Sequence, residues 1–163
     1  MMRRLLKAAA ALMLMVSAIA CKKDGGDPAM VDMSGEWKLS TLNGTGTDSM
    51  FGGEGLDIYL YFGSDGSFET FERLQDSAMY AHYSGTYSIS GYTASGAYSD
   101  GTSWGASYTV SLSEDGATLT MTAGSEECVY AKTAIPSEVR DNISHRAALK
   151  STENAEAYPG KFL

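Results

Sequence analysis

Two cysteines, two histidines and twenty carboxylates are among the side chains of this 163-residue chain equipped for covalent, acid–base or metal chemistry. No Cys/His grouping has metal-ligand spacing, so no metal site is expected. His82 and His145 lie in different contexts, with no Ser or Cys nucleophile motif around either; both read as polar residues. Glu69, Glu72, Glu126 and Glu127 supply carboxylates of the kind glycosidases use. That chemistry needs one carboxyl of raised pKa at a fixed separation from another. Glu69 and Glu72 stand an odd number of positions apart, on opposite faces of a regular strand, so solvated charges are the expectation. No phosphate-binding glycine loop and no dinucleotide fingerprint occurs. The residue types therefore predict no catalytic residue, no cofactor and no enzyme.

Cys21 is the exception, because its surroundings are specific. Arg3, Arg4 and Lys7 make a positive start, and the run from Leu5 to Ala20 is otherwise apolar apart from Ser17. A charged start, an apolar middle and a small-residue end form a secretory signal. The run is too short for a comfortable membrane span of roughly 20 apolar residues. Ala18-Ile19-Ala20-Cys21 resembles the lipobox of bacterial lipoproteins, although Leu is usual where Ala18 stands. The resemblance implies cleavage of residues 1–20 and acylation of Cys21; plain secretion with cleavage near Ala20 is the alternative. Acyl chains contribute about 0.8 kcal/mol per buried CH₂, so several on one cysteine anchor firmly. Residues 21–32 follow as a polar, Gly-rich tether. Asp24 and Asp27 partly resemble the surface-export tag of Bacteroidota lipoproteins. The expected location is the bacterial outer membrane, with the periplasmic and cell-surface faces both open.

Loss of Arg3, Arg4 and Lys7 takes the formal net charge from −8 to −11. So acidic a chain is unsuited to nucleic acid, where phosphates demand clustered Lys and Arg. With Cys21 lipidated, Cys128 has no disulfide partner, and "EECVYAKT" makes it a packed strand thiol.

From Trp37 onward apolar residues recur with period two, which predicts strands. "WKLST" sets Trp37 and Leu39 against Lys38 and Ser40. "LDIYLYF" sets Leu56, Ile58, Leu60 and Phe62 against Asp57, Tyr59 and Tyr61. Asp65-Gly66 marks a tight hairpin into "FETFERL", where Phe68 and Phe71 fall on opposite faces. "GTYSIS", a Gly/Ala-rich stretch over 91–99, "SYTVSL", "TLTMTA" after Asp115-Gly116, and "CVYAK" complete eight strands. The expected fold is all-β: an eight-stranded antiparallel up-and-down barrel over 33–133, which removes sheet edges, with a β-sandwich as the alternative. A short C-terminal helix is expected over 134–144, with Pro136 in its first turn and Val139 as its contact, then a mostly loose tail over 145–163.

Gly35-Glu36-Trp37 forms a G-x-W at the start of the first strand, and a long loop, "NGTGTDSMFGGEG", follows that strand. Together with "YFGSDGSFE", "SGAYSDGTSW", the Cys21 signal and the final "KFL", these resemble the lipocalin-like lipoproteins of the Bacteroidota. The Thr-Asp-x-Tyr and closing Arg motifs of animal lipocalins have no clear counterpart. The resemblance implies a barrel whose Trp37 closes the base beneath a short turn from "PAMVDM", and whose long loop covers the mouth. It also implies a small apolar or aromatic ligand bound without chemistry. Trp37, Tyr87, Tyr108 and Val110 are then candidate lining residues, with Met50 and Phe51 on the lid. An interior filled by side chains fits an eight-stranded barrel equally well; the protein is then an interaction module for an envelope protein or surface glycan. Asp48-Ser49-Met50 and Asp76-Ser77-Ala78 resemble the O-glycosylation sequon of Bacteroidota envelope proteins, making Ser49 and Ser77 candidate attachment sites.

Overall fold

The alternating runs become strands in the computed structural model, which describes residues 30–53, 55–74, 77–144 and 161–163. The signal segment, Cys21, Asp76 and His145 lie outside the described residues, as do the side chains of residues 51–53 and 74. In chain order come β1 (Gly35–Leu42), β2 (Thr45–Gly46), a 3-10 helix (Thr47–Gly53), β3 (Leu56–Phe62), β4 (Ser67–Leu74) and β5 (Tyr80–Ser90). Then follow β6 (Thr93–Tyr98), β7 (Tyr108–Leu112), β8 (Thr118–Ala123), β9 (Glu126–Lys132), α1 (Ser137–Asp141) and β10 (Ile143–Ser144).

Each long strand pairs antiparallel with its neighbour in sequence from β3 to β9, and β1 pairs with both β3 and β9. The result is a closed barrel of eight strands; β2 and β10 are two-residue additions on β1 and β5. The expected barrel is therefore the observed one, and the sandwich is excluded. Closure leaves no long edge to template pairing with another chain.

The hairpins follow from local chemistry. At 63–66 the Gly66 N–H donates to the Gly63 carbonyl, and Gly66 takes φ 82°. Asp65 Oδ1 accepts the Ser67 N–H at 3.0 Å and the Ser67 hydroxyl at 2.6 Å. Only the glycine of this Asp-Gly pair needs positive φ, as in a turn closed by a glycine bulge. Asp115-Gly116 repeats the arrangement, with Gly116 at φ 66°.

Inward residues make one continuous core, including Trp37, Ile58, Leu60, Phe62, Phe68, Val110, Leu119, Met121 and Tyr130. A bulge at Ser40 lets Leu39 face Tyr130 and Leu42 face Cys128, so both leucines turn inward. Outside the wall a second cluster joins Tyr59, Phe71 and Tyr80 to Ile135 and Val139. This explains why Phe68 and Phe71 oppose each other: one fills the barrel, the other seats α1. Val139 is buried there, as expected of the helix contact. Arg140 secures the helix by donating to Glu36 at 2.7 Å and Glu69 at 3.1 Å. Beside it Asp57 accepts from Arg73 and pairs with Lys38 at 3.2 Å.

Glu72 corrects the sequence expectation of a solvated charge. It is only 1% exposed. Phe68, Thr70 and Glu72 share the inward face of β4, while Glu69 faces out towards Arg140. Of the "PAMVDM" segment expected to supply a lipocalin-type turn, residues 28 and 29 lie outside the described residues, and residues 30–34 carry no helical turn. Met33 itself covers the barrel base.

Candidate functional site

Connections in an up-and-down barrel alternate between its two ends. One end, the base, holds the approach to β1 and the turns at 63–66, 91–92 and 113–117. The other, the mouth, holds the 43–55 and 99–107 connections and the short links after β4 and β8.

Trp37 closes the base. It is 1% exposed, its Nε1–H donates to the Met33 carbonyl at 2.9 Å, and Lys132 Nζ lies 5.5 Å above its ring. The indole is thus a structural plug with a cation over it. At the mouth, Thr47 is buried and its hydroxyl donates to the Leu39 carbonyl at 3.5 Å. Met50 packs partly buried on the core from the 3-10 helix. The main chain of Phe51 belongs to that helix.

Between the two ends runs a ladder of aromatics. Tyr87 meets Phe62 edge-on at 5.0 Å and donates its hydroxyl to the Gly63 carbonyl at 2.9 Å. Tyr108 meets Trp104 at 6.1 Å, and burial pushes its pKa up to about 12. Val110 is buried in the same core. Tyr87, Tyr108 and Val110 therefore share one interior. Trp37 caps that interior and Met50 packs on it.

Trp104, Tyr98 and Glu72 belong to this site; the sequence pattern points to neither aromatic and places Glu72 among solvated charges. Trp104 arrives because the chain turns back after β6: Gly101 N–H donates to the Tyr98 carbonyl and Trp104 N–H to the Gly96 carbonyl. The Asp100-Gly101 pair is the same turn signal as Asp65-Gly66 and was legible. Trp104 packs on Phe68 at 5.2 Å, over Gly96, where any Cβ would lie 2.5 Å from the indole. Its Nε1–H is buried with no hydrogen-bond partner among the described residues. The buried Tyr130 hydroxyl meets the Cys128 thiol, a weak partner, and no nitrogen or oxygen acceptor among the described residues.

The chain between Trp104 and Tyr108 bulges away from β6, and an open cavity of about 580 Å³ lies there. Thr86, Ser88, Ser95, Ser103 and Ser107 line it beside Tyr87 and Trp104. It is a polar depression in the barrel wall, distinct from the apolar interior.

A family model described as a lipocalin-like domain matches residues 33–128. The chain belongs to the lipocalin-like family. No curated protein and no solved structure matches it. The matched segment runs from the base plug at Met33 to Cys128 in the last barrel strand, so it takes in most of this lipocalin-like barrel. A barrel of this kind suggests the binding of a small ligand.

Cys128 is buried and unpaired in the lipocalin-like core, as its strand context implied. Burial, with Glu126 nearby, pushes its pKa up to about 11. The thiolate is the reactive form, so the native thiol should resist alkylation at pH 8 and react once urea unfolds the barrel. Rapid labelling of folded protein by iodoacetamide, read by intact mass, would contradict that placement. Ser49 and Ser77 are both exposed, their hydroxyls donating to the carbonyls of Gly46 at 3.1 Å and Met79 at 2.9 Å.

Proposed function

We propose that this lipocalin-like protein is anchored by lipid at Cys21 in the bacterial outer membrane and binds a small apolar or aromatic molecule without chemistry. The observation that carries the ligand reading is the buried Trp104 Nε1–H inside an aromatic barrel, which meets no acceptor among the described residues. A buried polar group without a partner costs about 1–3 kcal/mol. An apolar ligand carrying an acceptor offsets that cost, and few convergent polar groups in an apolar site are what orient small molecules.

Native mass spectrometry of residues 22–163, expressed without lipid and purified gently, tests the reading. A retained small molecule is expected, lost in Trp104→Phe. Bare protein that also fails to bind the apolar probe N-phenylnaphthylamine would overturn it. The packed interior favours a second reading, an interaction module for an envelope protein or surface glycan, which the bare result would favour.

The anchor rests on the sequence around Cys21. Protein from its native host should carry the mass of acyl chains, and Cys21→Ser should release it from the membrane fraction. The same intact mass tests glycosylation of Ser49 and Ser77; an unmodified polypeptide sinks that proposal.

A further inference from the structure

The mouth of the barrel is filled by a piece of chain that is not part of its wall. Leu163 is 4% exposed and belongs to the same apolar core as Trp37 and Tyr130, and Phe162 packs against that core. The contacts that hold this segment read main chain. Phe162 N–H donates to Glu72 Oε1 at 3.0 Å. Leu163 N–H donates to Tyr98 Oη at 3.1 Å, and the Tyr98 hydroxyl donates to the Leu163 carbonyl at 2.9 Å. At the rim, Lys161 Nζ pairs with Asp100, donates to Thr102 Oγ1 at 2.8 Å and lies 4.9 Å above the Tyr98 ring.

Glu72 and Tyr98 are themselves buried, and the Thr70 hydroxyl donates to the same Glu72 oxygen at 2.9 Å. A carboxyl in an apolar barrel is costly unless donors meet it. These groups offer an acceptor for one N–H and a hydroxyl that serves both an N–H and a C=O. From this geometry we infer that the Glu72–Tyr98 end of the barrel is a binding site for an apolar ligand bearing a secondary amide, and that residues 161–163 are its occupant in cis. The inference deepens the reading of the barrel as a small-molecule binder and rests on it. A pure hydrocarbon fills the space but makes none of the hydrogen bonds that Phe162 and Leu163 make with Glu72 and Tyr98. A covalently attached occupant also competes at an effective concentration on the order of millimolar, so an external ligand must displace it.

The test compares the full chain with one ending at residue 160, each titrated with N-acetyl-Lys-Phe-Leu-amide and with N-phenylnaphthylamine. The tripeptide should bind the shortened chain at least about tenfold more tightly than the full chain and displace the dye from it. Tyr98→Phe in the shortened chain should weaken the tripeptide by about tenfold, the value of one to two hydrogen bonds. Should the shortened chain fail to fold, Leu163→Gly in the full chain decides the matter, with the same ordering expected. If intact and altered chains bind the dye equally and the tripeptide displaces it from neither, occupancy in cis is wrong while the binder reading stands. If no chain binds either probe, both are wrong.

Discussion

Trp37→Ala should cost about 3–5 kcal/mol of folding stability, the range for truncating a buried large aromatic. The indole is almost wholly enclosed at the barrel base, and its N–H holds the Met33 carbonyl. Domain stabilities are only about 5–15 kcal/mol, so the variant should be substantially weakened. Urea unfolding reads this as a lower midpoint at unchanged slope. Trp37→Phe keeps most of the apolar area but orphans the Met33 carbonyl, and should cost less, about 1–3 kcal/mol. An alanine variant within about 0.5 kcal/mol of wild type, as at an ordinary surface site, would mean that Trp37 does not plug the base.

Gly85→Ala should be comparably damaging for the opposite reason. Gly85 stands between Phe68 and Tyr98 in the strand register. A Cβ there would lie 2.1 Å from the Ala97 carbonyl oxygen, 2.6 Å from Phe68 Cε1 and 2.8 Å from Tyr98 Cα. Two of those atoms are main chain, so no rotamer change relieves the clash. Overpacking costs about 1–3 kcal/mol and occasionally more, and this site belongs at the upper end. Gly105→Ala is the control, since a Cβ there meets nothing within 4 Å. It should stay within about 0.5 kcal/mol of wild type. Equal effects at Gly85 and Gly105 would contradict the close approach of β5 to β6.

The barrel was legible because its strands alternate cleanly and their turns carry Asp-Gly signals. Leu56, Ile58, Leu60 and Phe62 line the interior as their spacing implied. β5 begins at Tyr80, five residues before the "GTYSIS" run, because His82 and Ser84 carry no apolar signal on the outer face. Glu72 was misread as solvated: a charge on an inward position looks like any other charge until its partners, here Thr70 and Phe162, are known. Those partners lie up to 90 positions away in sequence, which local patterning does not report. Tyr59 and Phe71 show the same limit, since an outward aromatic is explained only once α1 covers it. Trp37, Tyr108 and Val110 belong to one interior core with Tyr87 packed against it, and Trp37 sits at its base.

The central claim is that the interior receives the ligand. The most direct measurement is the NMR spectrum of protein carrying carbon-13 methionine methyls, titrated with N-phenylnaphthylamine. Met121 is fully buried in the barrel and Met50 packs at its mouth, whereas Met79 is exposed outside. Saturable shifts at Met121 and Met50, with Met79 unmoved, are the predicted result. Shifts confined to Met79, or none at any concentration, would contradict a binding interior.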